Sequence, residues 1–325
     1  MAQKAPPVTA GTGVPTTGPA PVQARSTWRT VRTRYAKDRV AMVGLAFVIL
    51  FFLMAIFAPV VSAIVGHGPN ELFPQMVTPL GLPKGPRPGF WFGADQVGRD
   101  VLVRVVYGAR TSLLVALLGT FIATVLGVII GVAGGYLGGA FDTGVSRLID
   151  ILLSLPLLLF AIGLSTVCAA SPQGCFGGLL QPGMALVIGI IALFTWPYIA
   201  RIVRGEVISL REREFVDAAR ALGSSDPRIM FSEILPNLVA PIIVYATLTI
   251  PGNILFEAAL SYLGVGVPQS TPSWGRMLAD ATNGNLFTYA WWMMLFPGIF
   301  LVLATLAFNL VGDGLRDALS PRRRG

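Results

Sequence analysis

From Ile151 to Ala200 the chain runs 50 residues without an Asp, Glu, Lys or Arg. Such a run cannot clothe a water-soluble surface, and it is too long for one helix, since about 20 apolar residues already cross a bilayer. Pro and Gly clusters in SPQGCFGGLLQPG, residues 171–183, supply a turn that divides it in two. Four further uncharged stretches, Val40 to Gly66, Thr111 to Phe141, Ile234 to Phe256 and Ala281 to Gly312, are each long enough to span. The pattern predicts an all-α membrane protein with six transmembrane helices. Barrel strands would alternate apolar and polar over segments of about ten residues, whereas FVILFFLMAIFA (residues 47–58) is apolar on every side. Only 12% of the residues are charged, about half the share of an ordinary soluble domain.

Lys and Arg accumulate in cytoplasmic loops, and they set the orientation here. With both termini inside, 18 of the 24 basic residues fall on the inner side, in the amino-terminal tail, at Arg147, between Arg201 and Pro236, and in the carboxy-terminal tail. The exception is the first external loop, where Lys84, Arg87, Arg99, Arg104 and Arg110 are partly offset by Glu71, Asp95 and Asp100. The net charge of +8 therefore serves topology and not nucleic acid, because it is split among membrane-flanking clusters. Residues 1–27, rich in Pro, Ala, Gly and Thr, bury too little apolar surface to order themselves and read as a disordered cytoplasmic tail. Residues 28–325 form the six-helix domain. No cleavable signal peptide is evident, because the first apolar run begins near Val40 and exceeds the usual length. Cys168 and Cys175 both fall in the external connection between helices three and four, where a disulfide and two unpaired small residues are equally compatible with the sequence.

Enzymatic constellations are missing. The single histidine, His67, lies between glycines in a loop without metal-ligand spacing, and no nucleophile elbow, zincin helix or phosphate-binding P-loop string occurs. The membrane midplane is neutral apart from Asn253, which argues against self-powered ion coupling. Any ATP must be handled by another chain.

The most informative segment is REREFVDAARALGSSDPRIMFSEILPN, residues 211–237, on the inner side between helices four and five. Phe215, Ala218, Ala219 and Leu222 recur at helical spacing, Gly223 sits where a left-handed stop falls, and Asp226-Pro227 starts a second short helix. Small alanines on an exposed helix let another protein approach its backbone; the plain alternative is an amphipathic linker on the membrane surface. VDAARALG followed by ILPN resembles the EAA loop of the membrane subunits of ATP-binding-cassette importers, with Asp217 in place of Glu and Glu233 where isoleucine is common. FGADQVGRDVLVRVVYGARTSL (residues 92–113), GGYLGGAFDTGVSRLIDILLSLPLLL (residues 134–159) and FEAALSYLGVGVPQSTPSWGRML (residues 256–278) are similar to the C-type permease subunit of dipeptide, oligopeptide and nickel importers.

The resemblance implies a type I importer permease fold of the MetI kind in a bacterial cytoplasmic membrane. It also implies a coupling loop within residues 205–236 in which Asp217, Ala218, Ala219 and Gly223 meet an ATPase subunit. The implied partners are a homologous permease forming a heterodimer, two ATPase subunits or a fused pair holding ATP and Mg, an extracytoplasmic solute-binding protein and a peptide substrate. No cofactor belongs to this chain, and it is a transport subunit, not an enzyme. Within transport the rival cargoes are nickel and glutathione; outside it the rival is a membrane anchor or assembly protein that has lost transport.

Three features extend this reading. Gly127, Gly131, Gly135 and Gly139 form a ridge on helix two that packs either internally or against a partner subunit. Pro251 can bend helix five, as a lever or as a static bend, and Asn253 beside it would offer the translocation pathway a neutral hydrogen-bonding group. Trp274 and Arg276 lie where a binding protein would dock, although Trp274 also suits an interfacial belt, as Trp291 and Trp292 do.

Overall fold

The computed structural model describes residues 27–170, 175 and 183–319. The tail call on 1–27 and the turn at 171–183 fall outside these residues, apart from Thr27, Cys175 and Gly183. A short helix α1 (Thr27–Tyr35) leads to α2 (Arg39–Ile56), whose first turn is capped by the Asp38 carboxylate accepting from the Val40 and Ala41 amides. Pro59 cannot continue that hydrogen-bond ladder, so the first apolar stretch breaks at Phe57 and resumes as α3 (Ala58–Val65). An irregular loop, pinned by isolated bridges such as Ala94 to Asp100, leads to α4 (Val101–Leu137). Asp100 caps α4, which therefore starts ten residues before the uncharged stretch does and takes in Arg104 and Arg110. Its 37 residues span about 55 Å at about 1.5 Å per residue, well beyond the roughly 30 Å hydrocarbon layer.

The third expected span is not one helix. α5 (Gly139–Ser154) and α6 (Leu157–Ala170) meet at 86°. Pro156 forces the residue before it out of helical geometry, and Leu155 is extended, with φ −73° and ψ 135°. α5 carries Asp142, Arg147 and Asp150, so the bend separates a polar-faced helix from an apolar one. α7 (Met184–Leu210) follows, then α8 (Glu214–Ala221). The second helix of the 211–237 segment is not short: the turn α9 (Asp226–Arg228), a π turn (Ile229–Ile234) and α10 (Leu235–Tyr262) form a single rod from Asp226 to Tyr262. The helix continues through Pro251. α11 (Trp274–Thr282) and α12 (Trp292–Leu319) complete the chain. Among the described residues five single helices are long and apolar enough to cross a membrane, and counting the bent α5–α6 pair as one broken span gives six.

The glycine ridge packs internally. A Cβ on Gly127 would lie 2.8 Å from Ile199 Cβ, one on Gly131 2.7 Å from the Ala200 carbonyl oxygen, and one on Gly135 2.8 Å from the Arg204 carbonyl oxygen. α4 and α7 thus meet backbone to backbone, where dispersion contacts replace a hydrophobic drive that lipid does not supply. Gly119 extends the seam toward the other end by touching Ile191. Gly139 leaves it, because the chain has already turned at Gly138 and entered α5.

Candidate functional site

α8 divides its small sequence between two surfaces. Val216 and Ala219, three apart, are buried against Ile229 and Ile234 of the π turn, Val203 and Val207 of α7, and Tyr136 of α4. Phe215, Asp217, Ala218, Leu222 and Gly223 are exposed, Leu222 by 86%. Of the four coupling residues read from the sequence, Asp217, Ala218 and Gly223 therefore lie on the outer surface, while Ala219 fastens the helix to the body. Gly223 ends α8 with φ +77°, the left-handed stop that its place after ALG implied.

The joint beneath α8 is held by polar contacts that sequence reading did not find. The Tyr136 hydroxyl donates to Asp226 Oδ1 at 2.8 Å, and the Arg220 guanidinium lies 5.5 Å from the Tyr136 ring centroid while reaching Asp217 at 3.2 Å. Arg211 donates to the Gly135 carbonyl at 3.1 Å. Arg204 forms a two-pronged pair with Asp142, and Arg201 pairs with Asp150, so α5 is tied to α7 by two ion pairs. The ends of α4 and α7 nearest α8, together with α5 and the start of the rod, are thereby one assembly.

Farther along, a cavity of about 310 Å³ opens between α6, α7 and α10. Thr195, Tyr198, Thr249 and Asn253 supply its polar groups among Leu157, Ile191, Phe194 and Phe256, and no charged side chain lines it. Asn253 is mostly committed to the frame: its Nδ2 donates to Thr120 Oγ1 at 2.7 Å, and its Oδ1 accepts from Thr195 Oγ1 at 3.2 Å. It fixes the wall of this cavity more than it projects into it.

The end opposite α8 is a knot of long-range contacts. Arg104, fully buried, donates to the Pro69 carbonyl at 3.0 Å and to Asn70 Oδ1 at 3.1 Å, and it reaches toward the Gln269 carbonyl. Arg99 binds Asp95 at 2.6 Å and faces Asp280 at 3.5 Å. Burial pushes the Asp280 carboxyl up from its ordinary value, while Arg276, Arg104 and Arg99 pull it the other way. His67 Nδ1 donates to the Asp100 carboxylate at 2.7 Å, and its ring stacks on Phe90.

Trp274 departs from both sequence expectations. It is wholly buried, donates from Nε1 to the Val105 carbonyl at 3.0 Å and meets Phe51 edge-on, so it presents neither a docking surface nor a belt residue. Arg276, two residues on, is partly exposed and pairs loosely with Asp280. Trp292 is also buried, donating to the Ala94 carbonyl, whereas Trp291 remains exposed. Cys168 and Cys175 are joined in a disulfide, and Cys168 packs with Leu186, Val187 and Leu260, which ties the end of α6 to α7 and α10. Among the described residues no cluster of His, Cys, Asp and Glu is arranged to hold a metal ion.

Residues 101–325 match the family model described as the binding-protein-dependent transport system inner membrane component. Residues 26–77 match the N-terminal transmembrane domain of oligopeptide transport permease C. The chain is 39% identical over 299 residues to the dipeptide transport system permease protein DppC of Alkalihalophilus pseudofirmus, covering 92% of this chain and 91% of that one. It is 38% identical, with the same coverage, to the oligopeptide transport system permease protein OppC of Bacillus subtilis. It is 40% identical over 305 residues to the glutathione transport system permease protein GsiD of Salmonella typhimurium, covering 94% of each. Among solved structures, an inward-facing MetNI methionine ABC transporter chain superposes with a TM-score of 0.50 at 20% identity, covering 67% of this chain and 97% of that one.

Proposed function

The chain belongs to the binding-protein-dependent transport system inner membrane components, and from that membership we propose that it is the permease subunit of an ATP-driven importer of di- and oligopeptides. It pairs with a homologous permease, receives solute from an extracytoplasmic binding protein, and takes mechanical work from ATPase subunits that hold ATP and Mg. Both termini and α8 lie on the cytoplasmic side. The DppC and OppC relatives support the cargo class.

The observation that carries the coupling reading is the split of α8. Its outer face offers Phe215, Ala218 and Leu222 without cover, and its inner face is locked by Val216 and Ala219 onto the start of the rod. Closure of the ATPase pair would push on that outer face, and Ile229 and Ile234 would pass the push to α10. Tyr136 delivers the same load to α4, and the glycine seam carries α7 with it. Movement of α10 against this α4–α7 pair reshapes the neutral cavity beside Asn253. A lining without charge suits peptides, whose backbone is constant while their side chains and net charge vary.

Glutathione is the second cargo, favoured by the GsiD relative. Uptake of radiolabelled trialanine, glutathione and nickel by a strain deleted for this gene, before and after complementation, separates the cargoes. Restored trialanine uptake supports the peptide reading; restoration of glutathione or nickel uptake alone refutes it.

A further inference from the structure

Glu257, on α10 five residues before the end of the rod, is fully buried, and no cation is among the groups that act on it. Three hydroxyls surround it instead. Ser112 of α4 donates to Oε2 at 2.7 Å, Ser261 of α10 donates to Oε1 at 2.7 Å, and Ser273, the cap of α11, interacts with the same carboxyl. All three serines are fully buried. An apolar or amide side chain would avoid the cost of taking a carboxyl out of water, which the protein meets only through these bonds.

The elements that meet at Glu257 belong to different parts of the molecule. Ser112 stands on the helix that the coupling joint grips at its far end through Tyr136. Ser261 accepts from the Val267 amide and so holds the turn that follows the rod. The Ser273 hydroxyl accepts from the Arg276 amide, setting the first turn of α11 and the partly exposed arginine on it. The backbone is wound close around this point: a Cβ on Gly275 would lie 2.2 Å from the Ala258 carbonyl oxygen, and one on Gly266 2.3 Å from Ser261 Oγ. The segment from Leu263 to Asp280 has little freedom to move except with the end of α10.

Resting on the import reading above, we infer that Glu257 is the positioning residue that joins the outer segment 263–280 to the α9–α10 rod and holds the rod's outer end against α4 through Ser112. Three polar contacts join the rod to α4, Tyr136–Asp226, Thr120–Asn253 and Ser112–Glu257; when α8 is pushed, the last of them is the one that ties the outer segment to the slip, because that segment follows the carboxyl. Events at the outer face, where the binding protein docks, and events at α8 are then two ends of one lever, and reciprocity requires each to act on the other.

The test uses the complete complex of both permeases, ATPase subunits and the cognate binding protein in proteoliposomes, with trialanine as the solute. Glu257→Gln keeps the size and one acceptor oxygen. Co-purification of all subunits and basal ATPase should stay within about twofold of wild type, whereas stimulation of ATPase by peptide-loaded binding protein should fall by about tenfold or more. Ser112→Ala removes the bond from α4 to this carboxyl, leaves Thr120–Asn253 and Tyr136–Asp226 in place, and should lose stimulation in the same direction, which decides the matter if Glu257→Gln fails to assemble. Stimulation within twofold of wild type in an assembled Glu257→Gln complex, or in Ser112→Ala, overturns the inference. If the wild-type complex itself shows no stimulation by peptide-loaded binding protein, the import reading fails and the inference falls with it.

Discussion

The Tyr136 hydroxyl and the Asp226 carboxylate meet at 2.8 Å across 90 residues of sequence, joining the carboxy-terminal end of α4 to the first residue of the α9–α10 rod. Arg220 of α8 covers the same ring. One side chain is therefore shared by α4, α8 and the rod, the three elements through which the proposed coupling runs.

Tyr136→Phe removes the hydroxyl and keeps the ring. The loss of one hydrogen bond costs about 1 kcal/mol, too little to unfold the subunit, but it frees the start of the rod at Asp226 from α4. Transport per ATP hydrolysed should drop while basal ATPase persists. Parallel measurement of trialanine uptake and phosphate release in proteoliposomes checks this, and an unchanged ratio would exclude a coupling role for the bond.

At Gly223 the surrounding space is open, and only the backbone angle of +77° resists a side chain. Gly223→Ala should cost roughly 1–2 kcal/mol through left-handed strain alone, and it should loosen the end of α8. Ala218→Trp leaves the fold intact, because Ala218 faces outward, and should abolish ATPase docking. Co-purification of tagged permease with the ATPase subunits reads both: partial loss for the first variant, complete loss for the second.

Gly131, inside the α4–α7 seam, and Gly144, on α5 outside it, should respond oppositely to an added methyl. In Gly131→Ala the new Cβ meets the Ala200 carbonyl at 2.7 Å and overpacks the interface, with an expected cost of about 1–3 kcal/mol. Nothing lies within 4 Å of a Cβ on Gly144, so Gly144→Ala should be stabilising by up to about 1 kcal/mol through helix propensity. Thermal unfolding in detergent should place the two variants on opposite sides of wild type.

Trp274 is a packing anchor in this structure. Trp274→Phe forfeits one hydrogen bond and part of the contact with Phe51, at about 1 kcal/mol, whereas Trp274→Ala empties a fully buried site, at about 3–5 kcal/mol. A thermal series on the two variants should show that graded loss; equal, negligible shifts would place Trp274 back on a surface.

What the sequence made legible was whatever depends on local chemistry. Uncharged length marked the spans, Gly223 marked the end of α8, and the four-residue glycine spacing marked the α4–α7 seam. What stayed hidden depends on distant partners. Arg104 and Arg110 looked like loop charges, yet α4 begins before both because Asp100 caps it there, and Arg104 is buried by groups 34 to 165 residues away. Trp274 lies in a segment that looks like an exposed loop, and distant helices make it internal: α4 supplies the Val105 carbonyl and α2 the Phe51 ring. The break before α6 had a local signal in Pro156, overlooked because the run around it is uniformly apolar. In α8 the periodicity grouped Phe215, Ala218, Ala219 and Leu222 together, whereas a helix of eight residues packed on one side splits such a set between body and solvent.

The central claim is that this subunit has no motor of its own and is driven through α8. Trialanine accumulation in proteoliposomes with ATP inside tests it directly, using the chain alone, the complete complex, and the complex bearing Ala218→Trp. The account predicts uphill accumulation by the complete complex only. Accumulation by the chain alone, or wild-type accumulation with Ala218→Trp, would contradict it.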